Sequence, residues 1–166
     1  MSEAVYHAIE TREELERCRG GRSPSQHRVG IFVVKPKSLR DAFPRFIRVK
    51  GDRVTRFWYF VGPDGELMSL YDYKETSNYE DGAPSEDDFW NSEKEASLSI
   101  GAPFRDTEGN EAKVMLFIEH LAERIPGSRG LTESAFARQY AEWYENQDNP
   151  EKEREMRLFV KRWCVR

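Results

Sequence analysis

Three runs rich in β-branched and aromatic residues follow one another in the first half of the sequence, and they constrain the fold more than any other feature. They cover residues 45–50, 53–61 and 66–73, and they are separated by the turn sequences Gly51-Asp52 and Gly62-Pro63-Asp64-Gly65. Turns this short join antiparallel strands, because a parallel crossover needs a dozen or more residues. The sequence therefore predicts a three-stranded antiparallel meander.

The middle run is predicted to lie inside a sheet. On a strand, Trp58 and Phe60 would face one side, and Phe57, Tyr59 and Val61 would face the other. Since both faces are largely apolar, we expect this strand to be central and covered on each side. A second buried strand is predicted at residues 29–34, where the apolar run is continuous.

Helical patterns lie near both ends of the chain. After a short strand at residues 4–9, Thr11 and Glu14 form a capping box for a helix that ends at Gly20-Gly21, followed by a basic loop that extends to residue 28. Further helices are predicted at residues 113–125 and 131–147, and Asn149 and Pro150 begin a last one. Each carries an apolar stripe that is typical of core packing.

The stretch between strands and helices has little regular pattern beyond a short strand at residues 96–100. We therefore expect a single α+β domain, in which an antiparallel β-meander packs against C-terminal helices. Residues 1–74 would be mainly strands with a short N-terminal helix, residues 75–112 an acidic irregular segment, and residues 113–166 helical.

Composition restricts the class of protein. Aromatic residues make up 13% of the 166 residues, which excludes a fully disordered chain. Two cysteines, Cys18 and Cys164, exclude a disulfide scaffold and leave their redox state open. No signal peptide is apparent in residues 1–11, and the apolar runs are too short to span a bilayer. We expect a cytoplasmic protein without membrane contact, and the sequence indicates no oligomeric state.

Charge is distributed unevenly along the chain. Residues 1–62 carry 13 basic and 7 acidic residues, whereas residues 63–112 carry 3 basic and 14 acidic ones. Such asymmetry indicates either a charged partner or pairing between the two blocks within the molecule. Both alternatives stay open at the level of sequence.

The acidic block contains the segment that we expect to bind a partner. Charged residues steer an encounter and aromatic residues anchor it, and both are present in Tyr79, Glu80, Asp81, Glu86, Asp87, Asp88, Phe89 and Trp90. This pattern favours a non-catalytic protein that engages a basic surface on another protein, as toxin-immunity proteins and phage-encoded inhibitors of host defence do. The alternative is a solubilising loop whose Phe89 and Trp90 pack into the core.

Common catalytic and metal-binding motifs are absent from the sequence. His7, His27 and His120 are scattered, and no cysteine pair has zinc-ligand spacing. Neither a phosphate-binding glycine loop nor a nucleophile elbow is present. We therefore expect no catalytic residues, metal or cofactor, with one alternative.

That alternative rests on Pro63-Asp64 followed by Asp72-Tyr73-Lys74, which resembles the signature of the PD-(D/E)xK nuclease family over about a dozen positions. The resemblance implies that Asp64 and Asp72 hold Mg²⁺ and that Lys74 positions the attacking water. Asp72 and Lys74 are two residues apart, so on a strand they point to the same face. An ordinary hairpin turn at Pro63 and Asp64 is the competing interpretation.

A third hypothesis uses the basic block. Cations and aromatic side chains alternate along the predicted hairpin, an arrangement that can bind phosphates and stack bases. The cations are Arg45, Arg48, Lys50, Arg53 and Arg56. Nucleic-acid binding through them is one alternative, and a solvated or internally paired cationic face is the other.

Overall fold

The computed structural model describes residues 5–20, 26–51, 53–107 and 109–165. The predictions that fall on residues 1–4, on Gly21 and the rest of the basic loop through residue 25, and on Asp52 lie outside the described residues. The strands are β1 (His7–Ala8), β2 (His27–Val34), β3 (Ile47–Arg48), β4 (Arg56–Val61), β5 (Leu67–Tyr71), β6 (Ala96–Ala102) and β7 (Arg129–Thr132). The helices are α1 (Arg12–Arg19), α2 (Pro36–Ala42), α3 (Glu86–Trp90), α4 (Glu111–Arg124), α5 (Glu133–Glu145) and α6 (Pro150–Trp163).

All seven strands belong to one antiparallel sheet. Its order is β1-β4-β5-β6-β2-β7, and β3 pairs with the same edge of β4 that β1 uses at its other end. Helices and an antiparallel sheet in this arrangement make an α+β fold, as the sequence predicts.

The predicted meander is confirmed as β3, β4 and β5, although its strands are shorter than the sequence runs. β4 pairs with both neighbours in antiparallel register, with Ile47 opposite Phe57 and Trp58 opposite Leu70. Strand β2 lies between β6 and β7 and is buried from Val29 onward, as its continuous apolar run predicts.

The main core lies on one face of the sheet. Trp58 and Phe60 of β4 point into it, and Phe117 of α4 packs edge-on against Phe60 with ring centroids 5.2 Å apart. Helices α2 and α3 cover the rest of this face through Leu39 and Trp90. Of the C-terminal helices, α4 is thus the one that packs against the meander core.

The opposite face carries two separate apolar clusters. Leu15 of α1 packs beside Tyr59, whereas Trp163 of α6 and Phe136 of α5 pack beside Ile31. Helices α5 and α6 therefore cover β2, while α4 is the C-terminal helix that packs against the meander.

The segment at residues 75–112 is more regular than expected. It contains α3 and the seven-residue strand β6, which pairs with both β5 and β2 in the middle of the sheet. Its positions on the face opposite the main core, Ser97, Ser99 and Gly101, are small or polar, so the strand has a weak sequence signal. Residues 113–166 likewise include a strand, β7. No helix among the described residues is long and apolar enough to cross a membrane.

Candidate functional site

The acidic segment folds into a closed loop followed by a short helix. The Ser77 N–H donates to the Pro84 carbonyl (2.8 Å), so residues 77–84 form a loop whose ends meet, and we call it the acidic loop. Ser85 caps α3 by accepting from the Asp88 N–H (3.1 Å). Glu86, Asp87 and Asp88 occupy the first turn of α3, where negative charge is favourable because of the helix dipole. Part of the acidity of this segment therefore serves the helix itself.

Phe89 and Trp90 lie in the core, not on the surface. Their side chains are 5% and 0% exposed, and the Trp90 ring packs against Trp58 with centroids 4.9 Å apart. The Trp90 Nε1–H donates to Thr55 Oγ1 (3.0 Å), so its polar atom is also satisfied inside the protein. In this conformation the two rings cannot contact a partner, which corrects their place among the predicted binding residues.

Glu86 joins the acidic segment to the basic hairpin. Its carboxylate lies 3.1 Å from Arg48 and 3.5 Å from the Arg56 Nε. The Arg56 side chain is 12% exposed, and its guanidinium lies 4.1 Å from the centroid of the Phe46 ring. Burial lowers the pKa of Arg56, and Glu86 opposes that effect. The two blocks of opposite charge thus meet at one carboxylate, and Glu86 and Arg56 are structural contacts.

Beside the ion pairs of Glu86 lies a surface depression of about 680 Å³, which we call the acidic cleft. The acidic loop forms one wall, and the start of α2, the helix α3 and the start of β6 form the others. Five carboxylate and two ammonium side chains line it, namely Glu75, Glu80, Asp81, Asp88, Glu95, Lys74 and Lys94. Its apolar lining comes from Pro36, Ala83, Pro84, Phe89 and Ala96.

The carboxylates of the acidic cleft differ in how they are paired. Glu95 binds Arg129 at 2.8 Å, and this hydrogen bond lowers the pKa of Glu95. Asp88 accepts from the Ser85 hydroxyl at 2.7 Å. Glu80 and Asp81 are exposed, and no side chain in the described part of the protein bonds to either. These two carboxylates are the ones best placed to receive a partner's cation.

Lys74 and Tyr79 lie at the margin of the acidic cleft and contact each other. The Lys74 Nζ lies 4.5 Å from the centroid of the Tyr79 ring and 5.1 Å from that of Tyr73. Tyr79 is 42% exposed, so of the three predicted aromatic binding residues it alone is accessible. Lys74 thus contacts an aromatic ring, which differs from the water-positioning role that the nuclease resemblance implies.

The three residues of the nuclease resemblance do not converge. Asp64 lies in the exposed turn before β5 and approaches Lys113 at 3.9 Å, whereas Asp72 directly follows the strand. The five-residue strand β5, which spans roughly 17 Å, lies between them. Among the described residues, no group of three or more His, Cys, Asp or Glu side chains is gathered as a metal site.

Asp72 instead stabilises the junction between β4, β5 and α3. It is 0% exposed and accepts hydrogen bonds from the Thr55 N–H (2.9 Å), the Thr55 hydroxyl (2.8 Å) and the Arg56 N–H (3.0 Å). Burial raises the pKa of Asp72, and the bonds from Arg56 and Thr55 oppose that rise. The hydroxyl of Thr55 also accepts from Trp90, so one buried network links Asp72 to the acidic helix.

A second depression of about 640 Å³ lies beside the hairpin, and we call it the basic cleft. Arg12, Arg48 and Lys50 line it together with Asn78 and Glu86. The Arg12 guanidinium donates to the Arg48 carbonyl (3.2 Å), which fixes the N-terminus of α1 against the hairpin.

The other hairpin cations do not join this group. Arg45 and Arg53 are exposed and are absent from the lining of the basic cleft. Of the five predicted nucleic-acid-binding residues, Arg48 and Lys50 therefore lie together, and Arg56 is turned inward to Glu86.

Sequence reasoning missed the contributions to both clefts that come from distant elements. Arg12, Pro36 and Glu95 lie in or directly beside three different helices or strands, and nothing in the sequence pattern pairs them with the hairpin or the acidic loop. Recognition of β6 as a central strand would have indicated Glu95, because that residue directly precedes it.

Comparison with known proteins adds no relative to this picture. No protein-family model matches the chain, and no curated protein matches it at a significant level. The function of the protein is therefore inferred from the geometry of the molecule.

Proposed function

We propose that this protein is a non-catalytic binding protein that engages a basic segment of another protein through the acidic cleft. The observation that carries the proposal is the position of Glu80 and Asp81. Their exposed carboxylates form no hydrogen bond or ion pair with a side chain in the described part of the chain, and they share the cleft with apolar residues. Two negative charges without a partner, next to apolar surface, favour a ligand that carries both a positive charge and apolar surface.

A lysine or arginine side chain has that combination. Its methylene stem can lie on apolar surface while its charged end reaches the rim. In the acidic cleft, Ala83 and Pro84 provide apolar surface, and Glu80 and Asp81 provide the charged rim. Charge at the rim accelerates association and selects basic partners, while contact with the apolar surface slows dissociation.

The biological role that we propose is inhibition. A small acidic protein that covers the basic surface of an enzyme acts as an immunity protein does, or as a phage-encoded inhibitor of host defence does. Such a protein needs a preformed complementary surface and no catalytic group. The closed acidic loop, capped onto α3, gives the cleft that preformed shape.

The test is binding of a terminally blocked hexalysine peptide, measured by calorimetry at low salt. The variant Glu80→Gln/Asp81→Asn removes two charges from the acidic cleft, and Glu119→Gln/Glu123→Gln removes two exposed charges from α4 as a matched control. We expect the first variant to weaken binding about tenfold, which corresponds to about 1.4 kcal/mol. We expect the control to change binding less than twofold. Equal effects of the two variants, or no binding by the wild type, would refute the proposal.

A second candidate function is supported by the basic cleft. Arg12 and Lys50 add two cations beside Arg48, whose charge Glu86 already balances, so the cleft keeps a net positive lining. Such a lining fits the phosphate backbone of a nucleic acid.

Binding of a single-stranded oligothymidine tests this candidate. The variant Arg12→Gln/Lys50→Gln should weaken binding. Because one to two phosphate contacts are lost, the slope of the logarithm of the binding constant against the logarithm of the salt concentration should become shallower by about 1 to 2. The control Arg154→Gln/Lys161→Gln, on the exposed face of α6, should do neither. Binding that both variants reduce alike would contradict a specific role for the basic cleft.

A further inference from the structure

Lys74 has an unusual backbone conformation. Its φ angle is 60°, and no other non-glycine residue in the described part of the chain has a positive φ. This left-handed conformation is unfavourable for a residue with a Cβ. Surrounding contacts must therefore hold it, and one of them is the bond from the Lys74 N–H to the Arg53 carbonyl (2.6 Å).

The side chain supplies the remaining contacts. Its ammonium lies near the rings of Tyr79 and Tyr73, at 4.5 Å and 5.1 Å from their centroids, which is within the range of a cation–π interaction. Hydrogen bonding to the Tyr79 hydroxyl raises the pKa of Lys74, so the lysine is charged there at neutral pH. The two tyrosines thus form an open cage around an ammonium group.

The cage is accessible from solvent. Tyr73 and Tyr79 are 41% and 42% exposed, so an ammonium from outside could reach the same ring faces. Lys74 itself lines the acidic cleft, as do the carboxylates Glu80 and Asp81. The position is therefore continuous with the surface that we propose for a basic partner, and its charge environment selects a cation.

We propose that Tyr73 and Tyr79 form a subsite for a lysine side chain of the partner, and that the chain's own Lys74 occupies this subsite in the free protein. The proposal rests on the proposed function of the acidic cleft and adds the recognition element and a competing internal ligand. The incoming ammonium replaces that of Lys74 at the rings, and Lys74 moves into solvent. Because Lys74 occupies the subsite in part of the molecules, the apparent affinity for the partner equals the intrinsic affinity multiplied by the fraction of molecules in which the subsite is free.

Two lysines of the acidic cleft allow a matched experiment. Lys74→Gln and Lys94→Gln each remove one positive charge from the lining, but Lys74 alone contacts the two tyrosine rings. Glutamine keeps a Cβ at position 74, so the backbone cost is retained. Calorimetry with the terminally blocked hexalysine peptide should show about twofold tighter binding for Lys94→Gln, from the loss of one charge. It should show about twentyfold tighter binding for Lys74→Gln, which is the same twofold multiplied by about tenfold from freeing a subsite that Lys74 fills nine-tenths of the time.

Tyr79→Ala identifies the source of the gain. Added to Lys74→Gln, it should return the affinity to the level of Lys94→Gln, because the ring that receives the peptide ammonium is gone. Equal affinities for Lys74→Gln and Lys94→Gln would overturn the subsite, and so would a gain that persists without Tyr79. A peptide that binds none of the proteins would refute the proposed function itself, whereas normal binding without a difference between the two lysine variants would refute only the subsite.

Discussion

The basic hairpin and the acidic segment are the two most charged regions of this protein, and the fold treats them differently. In the hairpin, Arg56 is turned inward between the rings of Phe46 and Trp90 and is neutralised by Glu86. In the acidic segment, Glu86 is the residue that pairs with Arg56, while Glu80 and Asp81 are exposed on the surface. A surplus of charge in the sequence is therefore not the same as a surplus of charge available to a partner.

The chemistry of the side chains explains the difference. A guanidinium is weakly hydrated and stacks on aromatic rings, so Arg56 can be enclosed when one carboxylate is present. Carboxylates are favourable at the start of a helix and in turns, both of which are solvent-exposed. The acidic segment consists of such a turn-rich loop and the first turn of α3. The preference of carboxylates for turns and for helix N-termini therefore both favours this local structure and keeps its charges exposed to solvent.

The two regions are joined by the buried hydrogen bonds of Asp72 and by the neighbouring ion pairs of Glu86, which together we call the joint. The largest expected effect comes from removing Asp72. Asp72→Ala leaves the Thr55 and Arg56 N–H groups and the Thr55 hydroxyl without their acceptor in a buried place. We expect the free energy of unfolding to fall by about 3 kcal/mol, since each unsatisfied buried group costs about 1–3 kcal/mol. Urea denaturation followed by tryptophan fluorescence measures this change, and Trp90 lies in the same network.

Asp72→Asn is the matched control for that prediction. Its carbonyl can still accept from the two N–H groups, but its amide cannot accept from the Thr55 hydroxyl. We expect a loss of about 1 kcal/mol. Equal losses for the two variants would show that packing, rather than hydrogen bonding at Asp72, holds the joint.

Glu86→Gln addresses the ion pairs at the same joint and should have the next largest effect. The variant leaves Arg56 nearly buried without a negative partner, so we expect a loss of about 1–2 kcal/mol in the free energy of unfolding. Asp87→Asn, in the same turn of α3 but exposed and not paired in the described structure, should cost less than about 0.5 kcal/mol. Thermal unfolding of both variants compares them directly, and similar shifts would mean that Glu86 acts through net charge alone.

Much of the sheet could be predicted from local pattern. The meander is visible because its turns are short and its middle strand is apolar on both faces, and β2 because its apolar run is continuous. Strand β6 is less visible, since Ser97, Ser99 and Gly101 face the side of the sheet that lies between the two smaller clusters. A central strand with a small, polar outer face has no strong hydrophobic signal.

The candidate site was predictable only in part, for a geometric reason. Its acidic loop is local in sequence, so the run of acidic and turn-forming residues is enough to indicate Glu80 and Asp81. Whether a neighbouring ring such as Trp90 points outward or inward depends on long-range packing, here against Trp58 on a strand about thirty residues earlier. The position of Lys74 depends on a left-handed backbone that composition does not reveal.

The dependence of stability on pH gives a further, smaller effect at the joint. Because burial raises the pKa of Asp72 in the folded protein, the folded state binds its proton more readily than the unfolded state does. The part of the stability that depends on protonation of Asp72 is then full below its ordinary pKa of 3.8 and is lost as the pH rises through the raised value. The difference in unfolding free energy between the wild type and Asp72→Asn should therefore fall with rising pH in that window. Urea titrations from about pH 3 to about pH 7 measure it, and a difference that increases with pH would contradict the direction.

The smallest expected effect is at Asp64, the carboxylate at the other end of β5 from the joint. It is exposed, and its approach to Lys113 is 3.9 Å, so Asp64→Ala should change the free energy of unfolding by less than about 0.5 kcal/mol. The variant also tests the nuclease resemblance. If Asp64 and Asp72 held Mg²⁺ together, the ion would stabilise the wild type and not the variant, because a ligand that binds only the folded state raises its stability. We expect Mg²⁺ to shift the thermal midpoints of the two proteins equally, since Asp72 is enclosed by Thr55 and Arg56 while Asp64 faces solvent beyond the strand.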